Sequence, residues 1–202
     1  MGRRSSHTPQ ELRELILDAA QDIIDQKGLA GLSAREVARI IGYSPGTIYN
    51  MFTNLDDVVL NVEGRVLDAL DKRLSEAAGA GGGTDTRVVE IAHVYLAFTR
   101  EKPRLWNLLF EHHLPAGTEL PDWYQKKLEG LMAHVERALA SHFPPGSDAD
   151  RQRTAARVLW AGVHCITSLS TADKLSVVTT ESAGRLIDDL VGTYLRGLRS
   201  PG

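Results

Sequence analysis

Residues 43–50 read Tyr-Ser-Pro-Gly-Thr-Ile-Tyr-Asn, an uncharged run of small polar and aromatic side chains. Side chains of these types hydrogen-bond to base edges and phosphates and make apolar contact with thymine methyl groups. Gly46 has no side chain to hold a helix off a nucleic-acid backbone, and Thr47 offers both a methyl and a hydroxyl. Tyr49 and Asn50 reach phosphate or base from the next turn, while Ser44 and Pro45 open the helix. Upstream, Arg35 and Arg39 stand where phosphate contacts belong, and Arg3 and Arg4 form a basic arm suited to a minor groove. The plain alternative is that 44–47 is merely a helix start and Tyr49 a half-buried aromatic, since such geometry also occurs in proteins that never touch DNA.

Other chemistries find little support. His112 and His113 are adjacent, so on a helix they point about 100° apart and cannot share an ion comfortably. There is no His-x-x-x-His pair, and Cys165 is the single cysteine, so no metal site and no cofactor are expected. Cys165 reads as a buried packing residue. No phosphate loop, no nucleophile with a base and no paired acids at catalytic spacing are present, so no enzyme is expected.

The elements that position these residues are helical. Thr8-Pro9-Gln10-Glu11 is a capping box, and Leu12, Leu15, Ile16, Ala19, Ala20, Ile23 and Ile24 form one apolar stripe that Gly28 closes. Ser33-Ala34-Arg35-Glu36 is a second capping box, opening a short helix that ends at Gly42. A third begins at Ser44-Pro45, with Ile48, Met51 and Phe52 inward, so the pair is a helix-turn-helix. A longer helix starts near Leu55 and ends in 77–83, Ala-Ala-Gly-Ala-Gly-Gly-Gly. Five more are predicted at about 85–101, 103–113, 120–142, 149–172 and 182–198, with 176–180 a loop. The fold class is all-α with about nine helices, divided into 1–54 and 55–202.

At 202 residues and 43% hydrophobic the chain is ordinary globular protein, which excludes disorder, collagen-like repeats and disulfide scaffolds. The single cysteine and the lack of a signal-peptide core after the basic start predict a cytoplasmic location with no membrane association. Val158–Ala172 is uncharged but shorter than the roughly 20 apolar residues that span a bilayer. The net charge is −3, and residues 1–54 hold six Lys+Arg (Arg3, Arg4, Arg13, Lys27, Arg35, Arg39) against six acids, five of them on the first helix. Nonspecific grip on DNA is therefore expected to be modest.

From Glu11 to Val59 the sequence resembles the TetR family of bacterial transcriptional regulators. The resemblance rests on the amphipathic first helix, on 31–38 (Gly-Leu-Ser-Ala-Arg-Glu-Val-Ala) and on 42–52 with its Gly-Thr-Ile-Tyr run followed by Phe52. It implies operator contacts for Ser33, Arg35, Ser44, Thr47, Tyr49 and Asn50. The family usually has Lys at the start of its fourth helix where this chain has Leu55, leaving Asn54 or Thr53 as the nearest substitute. Further on, 158–165 (Val-Leu-Trp-Ala-Gly-Val-His-Cys) resembles the Trp-His-Gly signature of one TetR subgroup, with Cys165 where that signature has Gly.

Two stripes in the C-terminal part invite a binding reading. Trp106, Phe110 and His113 share a face at i, i+4 and i+7, as do Trp160, His164 and Thr167. Turned together they would make an apolar chamber with a few polar groups, His164 first among them; the alternative is satisfied core. Leu186, Ile187, Leu190, Val191, Tyr194, Leu195 and Leu198 form a stripe wider than one neighbour covers, and the helix before it is rich in small residues. Two such helices per chain predict a four-helix homodimer contact, which suits a pseudo-palindromic operator with half-sites about 34–36 Å apart. The reading is a ligand-responsive repressor of double-stranded DNA with a small-molecule effector that shifts the fourth helix. An architectural or partner-binding DNA protein without an effector is the alternative.

Overall fold

Thr8 accepts the Glu11 amide at 3.2 Å while the Glu11 carboxylate accepts the Thr8 amide at 2.7 Å, and this complete capping box launches helix α1 (Pro9–Lys27). In a computed structural model of the chain, which describes residues 7–79 and 83–199, helices α2 (Ala34–Ile41), α3 (Pro45–Met51), α4 (Leu55–Gly79), α5 (Thr84–Glu101), α6 (Pro103–Glu111), α7 (Asp122–Leu139), α8 (Ala149–Thr171), α9 (Leu175–Val178) and α10 (Ala183–Arg199) follow. No strand occurs among the described residues. The one helix beyond the nine expected is the one-turn α9, in the segment expected to be a loop, and it leaves Val177 and Val178 exposed.

The helices pack as two compact units. Among the described residues, one comprises those up to Val66 with Lys102–Tyr124; the other comprises those from Leu67 to Glu101 with those from Gln125 onward. The described part of segment 1–54 falls within the first, and α4 contributes its N-terminal half there and its remainder to the second.

In the first unit Ile16, Ala20, Ile23 and Ile24 of α1 are buried, as are Val37, Ala38, Ile48 and Phe52. Arg13 lies over the Phe52 ring, 4.3 Å from its centroid, and donates to Asn61 Oδ1 at 2.8 Å. The last carbonyls of α1, which a helix leaves unsatisfied, accept from Arg104 of α6: Asp25 at 3.2 Å and Gln26 more closely. Helix α6 ends at Glu111, not at 113 as expected, because His112 turns into an extended conformation and its ring is buried.

In the second unit α10 packs on α5 and α8. A Cβ on Gly162 would come within 2.9 Å of Leu190 Cδ2, so this glycine permits the close approach of α8 and α10. Tyr194 of α10 donates to the Ala155 carbonyl of α8 at 2.9 Å.

Candidate nucleic-acid interface

The turn between α2 and α3 needs a left-handed residue, and Gly42 supplies it at φ 75°. Ser44 then starts α3, which buries Ile48 and turns Pro45, Gly46, Tyr49 and Asn50 to solvent. Tyr49 is 54% exposed, so the half-buried alternative does not describe it. Ser44 Oγ and Thr47 Oγ1 lie 3.1 Å apart, and the Thr47 amide donates to the Ser44 carbonyl. At the edge of the turn His7 Nδ1 lies 2.7 Å from the Tyr43 hydroxyl, which ties the start of α1 to the helix-turn-helix. Arg3 and Arg4 lie outside the described residues.

The charges of α2 differ from expectation. Ser33 Oγ accepts the Glu36 amide at 3.2 Å, but the Glu36 carboxylate does not return to the cap, so the second box is one-sided. It accepts instead from Arg39 through Nε at 2.8 Å and Nη2 at 2.9 Å, and from Lys27 Nζ at 3.0 Å. These bonds hold its carboxyl down at about 2. Arg35 is exposed and pairs with no carboxylate among the described residues. At the head of α4, Asn54 Oδ1 caps the Asp57 amide at 2.8 Å and Asp57 accepts the Thr53 amide at 3.0 Å. The Asn54 oxygen is thus spoken for, and Asp56 and Asp57 add negative charge beside Leu55.

The residues expected to meet an effector are divided between the units, Trp106, Phe110 and His113 in the first and Trp160, His164 and Thr167 in the second. Trp106 is buried and its ring centroid lies 5.7 Å from that of Phe110, which is 44% exposed. His113 leaves the stripe because α6 has already ended, and its Nδ1 donates to the Glu111 carbonyl. On α8, Trp160 stacks on His164 at 5.1 Å and 13°. A chain of bonds runs through His164: Trp160 is hydrogen-bonded to Tyr95, the Tyr95 hydroxyl lies 2.8 Å from His164 Nδ1, and Ser168 Oγ lies 3.2 Å from Nε2. Burial lowers the His164 pKa, in keeping with a neutral ring. The Thr167 hydroxyl donates to the Val163 carbonyl of its own helix at 2.8 Å. A cleft of about 220 Å³ in the second unit is lined by Leu67, Asp68, Asp71, Lys126, Lys127 and Gly130. Cys165 is exposed in the single chain, not buried as expected, because it lies on the outer face of α8 with Val158 and Ala161. No group of three or more metal-ligating side chains occurs among the described residues, and no helix there is long and apolar enough to cross a membrane.

Residues 16–62 match the family described as bacterial regulatory proteins, tetR family, and residues 88–194, more than half of the chain, match the tetracyclin repressor-like C-terminal domain. The chain belongs to the TetR family. It is accordingly a DNA-binding transcriptional regulator and not an enzyme. An uncharacterized HTH-type transcriptional regulator of Mycobacterium tuberculosis is 25% identical over 170 residues, covering 84% of this chain and 75% of its own. A protein of unknown function from Rhodococcus sp. RHA1 superposes with a TM-score of 0.78 at 21% identity, over 98% of this chain and 100% of that one. The regulator FadR of Bacillus subtilis, solved in complex with stearoyl-CoA, gives 0.70 at 16% identity over 91% and 98%.

Within this TetR chain one further cluster escaped the sequence reading. Glu63 of α4, 2% exposed, accepts from His112 Nδ1 at 3.0 Å and bonds the Tyr124 hydroxyl, while His112 Nε2 lies 3.4 Å from Asp56. Burial raises the Glu63 carboxyl above its ordinary range. Glu63 sits seven residues from Asp56 on one face of α4, but its partners lie 49 and 61 positions away, beyond any local pattern.

Proposed function

We propose that this TetR-family regulator is a homodimer that grips a pseudo-palindromic operator through residues 1–54 and releases it when a small molecule binds 55–202. The observation that carries the DNA half is α3: seven residues that bury Ile48 and expose Pro45, Gly46, Tyr49 and Asn50 as one face. Laid in a major groove, that face puts Tyr49, Asn50 and Thr47 against bases and phosphates, with Ser44, Ser33, Arg35 and the Asn54 amide on the backbone. Arg3 and Arg4 would add minor-groove contacts. A gel shift on DNA upstream of the gene tests this. Tyr49→Ala should abolish the shift while the dimer stays folded, and an unchanged shift removes the assignment.

The dimer is argued from exposed apolar surface. Val158, 54% exposed, shares the outer face of α8 with Thr154, Ala161 and Cys165, and Leu186 and Leu190 of α10 are only partly covered. Val158→Arg should convert dimer to monomer in sedimentation; an unchanged mass overturns this face as the contact.

The effector is to act by shifting α4, whose inward residues run from Val58 to Leu74, and so reset the spacing of the recognition helices. Because FadR of similar fold holds stearoyl-CoA, a long-chain acyl-CoA is the first ligand to screen by thermal shift. Trp106 and Phe110 in one unit, and Trp160 and His164 in the other, are the positions where substitution should alter the response. A second reading, a regulator without an effector, is favoured by the bond chain through His164, which already engages both ring nitrogens. Equal operator affinity with and without every ligand that binds would establish it. The location is cytoplasmic on either reading.

A further inference from the structure

Of the six cations in segment 1–54, four lie among the described residues, and only one of those four is unengaged. Arg13 is spent on Phe52 and Asn61. Lys27, in the last turn of α1, and Arg39, in the last turn of α2, both end on Glu36. Arg35 alone stands without an acidic partner. Arg35 and Arg39 are four residues apart on one face of α2, so any phosphate path that passes one passes near the other.

The Glu36 clamp has the form of a phosphate contact. One oxygen takes Arg39 Nε; the other takes Arg39 Nη2 and Lys27 Nζ, all between 2.8 and 3.0 Å. That is the bidentate fork geometry in which arginine also holds phosphate. Glu36 is freed for this role because Ser33 caps its amide unaided. Ion pairs between exposed side chains add little to fold stability, so stability does not account for the arrangement.

We propose that Glu36 is a resident competitor for DNA phosphate, holding Arg39 and Lys27 so that α2 contributes Arg35 alone to the backbone contact. A phosphate that took Arg39 would have to break an ion pair already made, and the net gain would be small. The effect is blind to sequence: it lowers affinity for every duplex and keeps the salt dependence shallow. This rests on the reading that α2 runs beside the DNA backbone.

Each added phosphate contact steepens the fall of log K with log salt by about 0.9, which at about 0.15 M salt corresponds to roughly fivefold tighter binding. The test measures anisotropy of a labelled random-sequence duplex over a range of KCl, with melting curves confirming that each variant is folded. Glu36→Gln should bind roughly fivefold tighter per protomer with a slope steeper by about 0.9 per protomer. Adding Arg39→Gln to that variant should return both to the native values, whereas Arg39→Gln alone should change little. If Arg39→Gln alone flattens the slope, Arg39 already holds phosphate and the proposal is overturned. It is also overturned if Glu36→Gln leaves binding unchanged or weaker while Arg35→Gln flattens the slope, a result that spares the placement of α2. If neither Glu36→Gln nor Arg35→Gln alters the slope, α2 does not lie on the backbone and both statements fall.

Discussion

Replacing His112 by Ala should unsettle the protein far more than its place just past a helix end implies. The ring is 6% exposed and fixes Glu63 at 3.0 Å; Glu63 has the Tyr124 hydroxyl as its other partner. Leaving a buried carboxyl short of one hydrogen-bond partner costs about 1–3 kcal/mol. Set against a total stability of about 5–15 kcal/mol, that is a large fraction. For a chain of this length it corresponds to a Tm lowered by roughly 2–12 °C. Glu63→Gln keeps an acceptor oxygen for His112 and removes the charge that burial disfavours, so it should be neutral or stabilising. His112→Ala placed on Glu63→Gln should then cost about 1 kcal/mol less than on the native chain. The pH dependence has a definite sign. Because the folded-state carboxyl is raised above its ordinary 4.5, the native state binds the proton more tightly than the unfolded chain. Glu63 therefore subtracts stability as pH climbs from that ordinary value through the raised one, and Glu63→Gln should gain on the native protein over that window. Urea unfolding at fixed protein concentration, so that association does not enter, gives all four corners of the cycle. Additivity within about 0.5 kcal/mol would refute the coupling.

Three more expectations are open to measurement. Gly46→Ala meets nothing closer than Ser44 Oγ at 3.8 Å, so the melting temperature should hold or rise slightly, while DNA affinity drops roughly tenfold if the α3 backbone lies against the duplex; undiminished binding would show that no close approach occurs. Gly42→Ala, at φ 75°, should lose about 1 kcal/mol in chemical unfolding, and no loss would mean the turn is not held left-handed. His164 is depressed below its ordinary 6.5 by burial, so it supports stability above that value and loses that support as pH falls through its folded-state pKa. His164→Gln should flatten this part of the acid limb in Tm measured against pH; an unchanged limb would place the titration elsewhere.

What the sequence made legible was local. The Thr8–Glu11 box, the left-handed Gly42 and the outward face of α3 each follow from neighbours within four residues, and each stands in the structure. What it hid was set by distant partners. The Ser33–Glu36 spacing is that of a capping box, yet Lys27 and Arg39 draw the carboxylate away. The apolar period carries on through His113, yet burial of His112 against Glu63 ends the helix at Glu111. His164 was legible as a polar residue in an apolar helix, but not the Tyr95 hydroxyl that satisfies it from 69 positions away. The residue type of Cys165 suggests burial, while its position on the outer face of α8 exposes it.

The bonds from Arg104 to the end of α1 bear on where this regulator can yield. A guanidinium held by two successive main-chain carbonyls acts as a rivet, since sliding α6 along α1 would strip both bonds at once and leave the helix end bare. Bonds to a charged donor resist such shear at about 1.5–3 kcal/mol each. Small thermal excursions therefore carry α1 and α6 together as one stiff piece. Whatever compliance this regulator needs must be found at joints other than this one.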